Sequence, residues 1–291
     1  MSLNIEPIDA DTGLPAFEHR IGKFVAEKKP HVVLLTPCYG GTCHVNYVNS
    51  LIQTVGLFLT LGISLKVEFC KNDSLVSRAR NNLVARAMAD PRTTHLFFVD
   101  SDIAWNPVDM VKLLLADKSI VGGVYPVKSY NWENLADPKF VETTLATKNA
   151  SVLRDSITDG EFIRQRLVRY NINFENVSET GGLEIRDNLV EVRHLATGFM
   201  MLKRSTIEQM MMAFPETKYV DDVGFLSPTE SEFAYALFDC GVVNGHYYSE
   251  DWMFCHRWKT ATGGSIYADV SIQLIHSGTE DFIGAFLSSL V

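Results

Sequence analysis

Asp100 and Asp102 are the two residues of this chain whose types and spacing most directly suggest chemistry. They stand one residue apart, on either side of Ser101, directly after the apolar run 95–99, which reads as a buried strand. In open α/β sheets the ligand lies at the carboxyl ends of the strands. Hard divalent cations bind through one or two carboxylates together with substrate phosphates. The pair therefore predicts a cation site for a diphosphate-bearing substrate. The alternative interpretation is a loop in which Asp100 caps a turn and Asp102 faces water.

A glycine-containing turn follows the first predicted strand, in the run 36–41. Backbone amides near its two glycines and the ring of Tyr39 could hold a nucleoside, and Thr36 and Pro37 open the same segment. The run matches neither a P-loop nor the glycine fingerprint of dinucleotide-binding folds. A turn with no ligand is the alternative interpretation.

Two arginines stand near the start of a predicted helix over 74–89. Cations at that end oppose the helix dipole, so we expect Arg78 or Arg80 to meet an anion, either an acid of the loop or a phosphate. Asp73 precedes the helix and could contact the ligand or cap the first turn.

Two further segments late in the chain carry candidate groups. Glu250 and Asp251 begin a predicted helix among aromatic residues, where one acid could face a sugar and the helix dipole would favour both. His276 ends a predicted strand, and its neutral imidazole could be a third metal ligand. A histidine at that position could also be simple polar surface.

Composition and charge exclude several classes of protein. The formal net charge of −9 over 291 residues argues against a nucleic-acid partner. Five cysteines without a C-x-x-C pair indicate reduced thiols and a cytoplasmic location. No stretch reaches the roughly 20 apolar residues of a membrane span, and the closest, 51–65, reads as a core helix.

Strand and helix patterns alternate over 31–125, which predicts a mostly parallel sheet with flanking helices. Strands are expected at 31–35, which Thr36-Pro37 ends, and at 65–69, 95–99 and 119–124, and helices at 43–61, 74–89 and 108–116. The second half is less regular: 128–182 reads as an extended insertion or lid, and 183–193 as a hairpin turning at Asp187-Asn188. Later elements are expected at 197–202 (strand), from Ser205 as cap to 214 (helix), 233–238 (strand), 249–262 (helix) and 266–275 (last strand).

Together these segments resemble glycosyltransferases with the GT-A fold, including viral and bacterial members and the mannan-polymerase mannosyltransferase family. The resemblance rests on 73–81, on the D-x-D run 97–103, on 121–126, on 249–251 and on 276–278, and it spans roughly 31–280. It implies an α/β fold of GT-A type, with a Rossmann-like sheet and an elaborated C-terminal half, in one domain over 1–291. Within that domain 31–127 would bind the nucleotide sugar, 128–182 would be the insertion, and 183–291 would hold the acceptor and complete the metal site.

The same resemblance implies roles for the candidate residues. Asp100 and Asp102 would bind Mn²⁺ or Mg²⁺ on the diphosphate of a UDP- or GDP-sugar, with His276 as third ligand and Ser101 beside the donor. Glu250 or Asp251 would face a carbohydrate or other hydroxyl acceptor, as base in an inverting reaction or as positioning group in a retaining one. The set of residues predicted to surround the nucleoside is Thr36, Pro37, Tyr39, Asp73 and Arg78. A metal-dependent nucleotidyltransferase and a non-catalytic carbohydrate-binding protein are the alternatives.

Overall fold

The computed structural model describes residues 16–151, 154–175 and 182–290 and shows a mixed α/β fold. Parts of the expected insertion, at 152–153 and 176–181, and the ends of the expected domain lie outside the described residues. The helices are α1 Ala16–Lys28, α2 Val45–Leu61, α3 Val76–Ala89, α4 Pro107–Ala116, α5 Phe140–Ala150, α6 Asp159–Leu167, α7 Arg204–Ala213, α8 Pro228–Ser231, α9 Glu250–Thr262 and α10 Leu287–Leu290. The strands are β1 His31–Cys38, β2 Ser64–Lys71, β3 His95–Val99, β4 Ile103–Ala104, β5 Ile120–Gly123, β6 Pro126–Tyr130, β7 Val168–Tyr170, β8 Asn173–Phe174, β9 Ile185–Arg186, β10 Leu189–His194, β11 Phe199–Lys203, β12 Gly241–Val243, β13 His246–Tyr248, β14 Ile266–Asp269, β15 Gln273–Ser277 and β16 Asp281–Ala285.

Within the described residues the main sheet has nine strands, in the order β2-β1-β3-β11-β5-β14-β10-β8, with β9 added beside β10. β1 runs parallel to β2 and β3, and β14 runs parallel to β5. β11 is antiparallel to both of its neighbours, and β10 is antiparallel to β14. The sheet is therefore mixed, whereas the sequence pattern predicted a mostly parallel one.

β3 shows why the centre of this sheet is buried on both faces. Its side chains alternate, so that Leu96 and Phe98 pack into one apolar cluster while Phe97 and Val99 pack into the other. Both clusters are covered by helices, among them α3 on the first side and α2 with α4 on the second. A strand buried in this way holds the residue that follows it, Asp100, in a fixed place.

A smaller sheet, β16-β15-β4, brings together parts of the chain that are far apart in sequence. β4 follows the acid pair, and in its register with β15 Ile103 lies opposite His276. The backbone N–H of Ser277 also donates to the Asp102 carbonyl at 2.8 Å. This pairing sets the relative position of the acid pair and the histidine.

Several sequence-based predictions about elements were wrong. β1 continues through Thr36 and Pro37 to Cys38, because its parallel pairing with β2 extends to that end. The segment 128–182 contains β6, α5, α6 and β7, and a capping box between Thr158 and Glu161 starts α6. Residue 203, not Ser205, caps α7. Residues 233–238 are irregular, with one isolated bridge between Tyr235 and Lys218, instead of a strand. The segment 266–275 divides at a turn into β14 and β15, with β16 after them.

None of the helices in the described ranges is both long and apolar enough to cross a bilayer.

Candidate functional site

The acid pair lies in a turn between β3 and β4. The Asp100 N–H donates to the Gly198 carbonyl at 3.1 Å, and the Ile103 N–H donates to the Asp100 carbonyl at 3.0 Å. Only glycine fits at position 198, because a Cβ there would come within 2.6 Å of the Tyr125 ring. Backbone contacts on both sides thus fix the turn, which leaves the two carboxylates free to meet other side chains.

Asp102 contacts His276 and Lys128. Its Oδ2 lies 3.4 Å from Nε2 of His276 and 2.5 Å from Nζ of Lys128. The other ring nitrogen of His276, Nδ1, is 2.8 Å from the Pro126 carbonyl. Because a carbonyl only accepts, Nδ1 carries the proton there, and Nε2 is the nitrogen that faces Asp102. Metal-binding histidines are commonly oriented by such a second hydrogen bond.

Burial by itself would raise the pKa of Asp102. The hydrogen bonds from His276 and Lys128 outweigh that effect and hold the pKa of this carboxyl below its usual range. Asp102 is therefore an anion held between cationic or hydrogen-bonding neighbours.

Arg80 connects Asp100 to the start of α9. Its Nη2 donates to Asp100 at 3.0 Å, and its Nε donates to Glu250 at 3.2 Å. The side chain is only 4% exposed. Burial would lower the pKa of Arg80, but the charges of Asp100 and Glu250 overcome this and raise it. The remaining nitrogen, Nη1, is buried and has no partner among the described atoms.

Asp251 points elsewhere than Glu250, as adjacent helical residues must. Its Oδ1 accepts hydrogen bonds from the Ser249 hydroxyl and, at 2.8 Å, from the Trp252 N–H. Burial raises the pKa of Asp251, the nearby Glu250 charge raises it further, and the Ser249 hydrogen bond opposes both. A carboxylate with a raised pKa is better suited to accept a proton than a fully solvated one.

Asp251 and His276 line the same cavity of about 250 Å³. Its walls are mostly apolar, with a few polar groups, and are formed by Gly123, Val124, Tyr125, Val127, Asn171, Ile172, His194, Leu195, Ala196, Asp251 and His276. Ring contacts hold two of these walls, because Tyr125 packs on His276 at 5.2 Å and His194 stacks on Trp252 at 4.2 Å. Burial lowers the pKa of His194 to about 4, so this ring is neutral at neutral pH.

A short segment at the start of α2 ties the acid turn to β15. The His44 N–H donates to the Ser101 carbonyl at 2.9 Å. The amide of Asn46 donates to Ser277 at 3.1 Å and to Asp281 at 2.9 Å. Ser101 is therefore held through its backbone by the residue that precedes α2.

The residues expected around the nucleoside do not form one cluster. Thr36 is fully buried, and its hydroxyl lies 2.6 Å from that of Tyr47, so it belongs to the core. Pro37 stays within β1, whereas the Tyr39 ring is exposed beside two glycines of positive φ. Only the Tyr39 end of this turn is open to a ligand.

Asp73 and Arg78 contact each other instead of the acid pair. Two nitrogens of Arg78 donate to the Asp73 carboxylate at 2.8 and 2.9 Å, and Asp73 also accepts from the Leu75 N–H. The Arg78 hydrogen bond lowers the pKa of Asp73. The sequence predicted an anion beside Arg78 or Arg80, and in the structure both have one: Arg78 meets the loop acid Asp73, and Arg80 meets Asp100 and Glu250.

The described residues contain no group of three His, Cys, Asp or Glu side chains that could hold a metal ion as they stand. The donor set nevertheless fits a cation that brings other ligands with it. Oδ2 of Asp102 and Nε2 of His276 are 3.4 Å apart, a distance that is compatible with both atoms binding one ion. The Asp100 carboxylate instead pairs with Arg80. Lys128 would have to leave Asp102 for an ion to enter.

The sequence did not reveal the roles of Lys128, Tyr125 and His194. Lys128 stands in the segment read as an irregular insertion, and His194 had no distinguishing pattern around it. Tyr125 lies in the run 121–126 that carried part of the resemblance, but no role was assigned to its side chain. Arg80 carried a signal, its place at a helix start, but its burial follows only from the packing of α3 on the sheet. A larger cavity, of about 910 Å³ between α1, α4 and β10, includes none of the candidate site residues.

Comparisons with known proteins add little to this geometry. No family model matches the sequence, and comparison with curated proteins finds no match. Solved structures that are similar include that of A197 from STIV, which is 15% identical, with a TM-score of 0.46 over 85% of this chain and 86% of that chain. A similarity this distant assigns neither an activity nor a ligand to the chain.

Proposed function

We propose that this protein is a divalent-cation-dependent glycosyltransferase of GT-A type, which moves a sugar from a nucleotide-diphosphate sugar to an acceptor hydroxyl. The observation that carries the proposal is the cavity shared by His276 and Asp251. His276, whose Nε2 faces Asp102, and Asp251, a carboxylate suited to a hydroxyl proton, both line this cavity. A cation on the diphosphate and a carboxylate that takes the acceptor proton or orients the acceptor are the two groups that metal-dependent sugar transfer would use.

The size of the cavity supports a small reacting group. Its volume of about 250 Å³ is below the roughly 300–1,000 Å³ of pockets that enclose drug-sized ligands. We infer that it takes a single sugar unit, while the nucleotide lies outside, along the exposed turn at Tyr39.

Asp102 and His276 would hold Mn²⁺ or Mg²⁺, with Asp100 beside them. In such a site the cation supplies positive charge to the departing diphosphate, which is worth several kcal/mol in the transition state. Lys128 would add a second positive group once it is released from Asp102. Arg80 holds Asp100 in place through a hydrogen bond. The buried Nη1 of Arg80 has no partner among the described atoms and is a further N–H donor beside this acid.

The reaction breaks the bond between the anomeric carbon and the diphosphate oxygen and forms one to the acceptor oxygen. Asp251 would take the acceptor proton if configuration inverts, or orient the acceptor if it is retained. Glu250 acts through Arg80, because its carboxylate is engaged by that guanidinium.

The test is an assay of nucleoside diphosphate release from a panel of UDP- and GDP-sugars, with Mn²⁺ and a set of carbohydrate acceptors. We expect release with one donor, its loss on chelation, and its loss in Asp102→Asn. The exposed Asp155→Asn is the matched control and should keep the parental rate.

Two other results would reject the proposal. Release of pyrophosphate from a nucleoside triphosphate and a sugar phosphate would identify a nucleotidyltransferase. Carbohydrate binding with no turnover of any donor would identify a binding protein.

A further inference from the structure

Helix α2 presents an apolar face to solvent. Five aliphatic residues, between 39% and 81% exposed, form this outer face: Val45, Val48, Ile52, Val55 and Leu59. Single exposed aliphatic residues are ordinary on protein surfaces, but a continuous apolar strip along one helix usually marks an interaction site.

The opposite face of α2 makes this strip more unusual. Two of its buried residues are polar, and both bind Trp105: Ser50 accepts from its N–H at 3.0 Å and Thr54 accepts from its indole N–H at 2.9 Å. A surface helix normally places polar residues outward and apolar residues inward. α2 also packs apolar residues inward: Tyr47 and Phe58 are fully buried, and its leucines at 51, 57 and 61 are partly buried against the core. The outer aliphatic strip takes no part in that packing, so the fold of a single chain does not require it.

The spacing of the outer face is that of a helix that packs on another helix. Its residues follow one another at intervals of three, four, three and four, the pattern of positions a and d in a two-helix seam. Gly56 lies on the same side, and nothing occupies the space where its Cβ would be, so a second backbone could approach closely.

Charge narrows the choice of partner. The 17 residues of α2 include no charged side chain. Helices that lie on anionic lipid surfaces use lysine and arginine on the polar flank, whereas the flank here carries Asn49, Gln53 and Thr60. A partner that binds through charged side chains would find no opposite charge on this helix. Two copies of a chain with net charge −9 could, however, meet here without placing like charges together.

The outer face is also nearly symmetric about Ile52. Val45 and Leu59 lie seven residues to either side, and Val48 and Val55 lie four and three residues away. In an antiparallel pair related by a two-fold axis at Ile52, Val45 of one copy would therefore oppose Leu59 of the other. We propose that α2 is the contact between two copies of this chain, which form an antiparallel helix pair.

The expected dimer is reversible. The strip is about 21 Å long at 1.5 Å per residue, so the helix pair alone buries less than the roughly 800 Å² per partner of a stable interface. This inference does not depend on the proposed enzymatic activity.

Sedimentation velocity over a dilution series tests the proposal. We expect the parent to pass from dimer to monomer on dilution, and Ile52→Glu to be a monomer throughout with an unchanged melting temperature, because residue 52 is exposed in the single chain. Val242→Glu, at another exposed apolar position, is the matched control and should dimerise like the parent. A parent that is monomeric at its highest attainable concentration would overturn the proposal, as would a dimer that Ile52→Glu leaves intact.

Cysteine cross-linking tests the antiparallel arrangement, in a Cys240→Ser background because Cys240 is the exposed thiol among the described cysteines. Ile52→Cys should form a disulfide dimer with itself. Val45→Cys should cross-link with Leu59→Cys more readily than with itself. Efficient Val45→Cys homodimers would overturn the antiparallel register, and binding of monomer to neutral lipid vesicles through Ile52 would identify a membrane contact instead.

Discussion

Arg80 is the residue on which the shape of the candidate site depends most. Its guanidinium is shared between Asp100 after β3 and Glu250 at the start of α9, so one buried cation links two acids that are far apart in sequence. Lysine has one charged nitrogen and could not reach both acids in the same geometry. The arginine therefore positions the acid turn and the first turn of α9 together.

Arg80→Lys should lower the free energy of unfolding by about 3 kcal/mol, because removing one partner from a buried ionic network leaves the others unpaired. Urea denaturation at neutral pH measures this. Arg92→Lys is the matched control, since that exposed arginine pairs with Asp90 at the surface, and it should not change the unfolding curve. Equal curves for the parent and Arg80→Lys would show that the network contributes nothing to stability.

Asp251→Asn should fold like the parent and lose sugar transfer by at least ~10²-fold, the low end of general-base contributions. Steady-state rates and melting temperature together measure this. Glu250→Gln should behave differently, because its carboxylate pairs with Arg80, and should lower the melting temperature as well as the rate. If both variants transferred sugar at parental rates, neither acid would be catalytic.

Asp102→Ala should abolish the binding of Mn²⁺ that depends on nucleotide. Two protein donors leave most of the coordination shell open, so we expect the parent to bind Mn²⁺ well only when UDP or GDP supplies phosphate oxygens. Titration calorimetry with and without nucleotide measures this, with Asp155→Ala as control. Equally tight binding in Asp102→Ala would contradict the assignment.

Among the elements, the hairpin β9–β10 shows what local sequence can predict. Asp187 and Asn188 both adopt positive φ, 51° and 64°, as a two-residue turn of type I′ requires. Residues in that region pay a steric cost that glycine avoids. Asn188→Gly should therefore raise stability by up to about 1 kcal/mol, while Asn188→Ala should lower it, as thermal unfolding would show. A less stable Asn188→Gly would mean that the asparagine side chain has another role.

Other elements could not be predicted because long-range pairing decides them. The alternating patterns over 31–125 gave the strands β1, β2, β3 and β5 and the helices between them, since each buries a clear apolar face. The pairing of β4 with β15 joins residues about 170 positions apart, and no local pattern signals it. That pairing places His276 beside Asp102. The sequence could therefore suggest both residues without showing that they meet.

At the scale of the whole molecule, stability should depend on the protonation of buried histidines. His95 packs near Phe24, its Nδ1 lies 2.9 Å from the Thr94 hydroxyl, and the charged groups near it are Lys203 and Asp117. Burial, with a smaller effect from Lys203, lowers the pKa of His95 to about 4. Between pH 6.5 and about 4, His95 is therefore protonated in the unfolded chain but mostly neutral in the folded chain. The contribution of His95 to stability is complete above pH 6.5 and is lost as the pH falls towards 4.

This shift corresponds to about 2 kcal/mol between pH 8 and pH 5. Urea denaturation at both values should show a smaller loss at pH 5 in His95→Gln than in the parent. His246→Gln, at an exposed histidine, should show the parental loss. The same loss in His95→Gln as in the parent would place the acid sensitivity at other groups.

The contact between Lys128 and Asp102 has a consequence for how the protein is handled. Two neighbouring carboxylates normally repel each other when no ion is bound, but here each already has an internal counter-ion, Arg80 for Asp100 and Lys128 for Asp102. We therefore expect a chelator not to lower the stability of the folded chain. A scanning calorimetry trace in EDTA should overlay the one in Mn²⁺ alone. An ion added later has to displace an ammonium group that is already in place, so loading the site is an exchange of one cation for another.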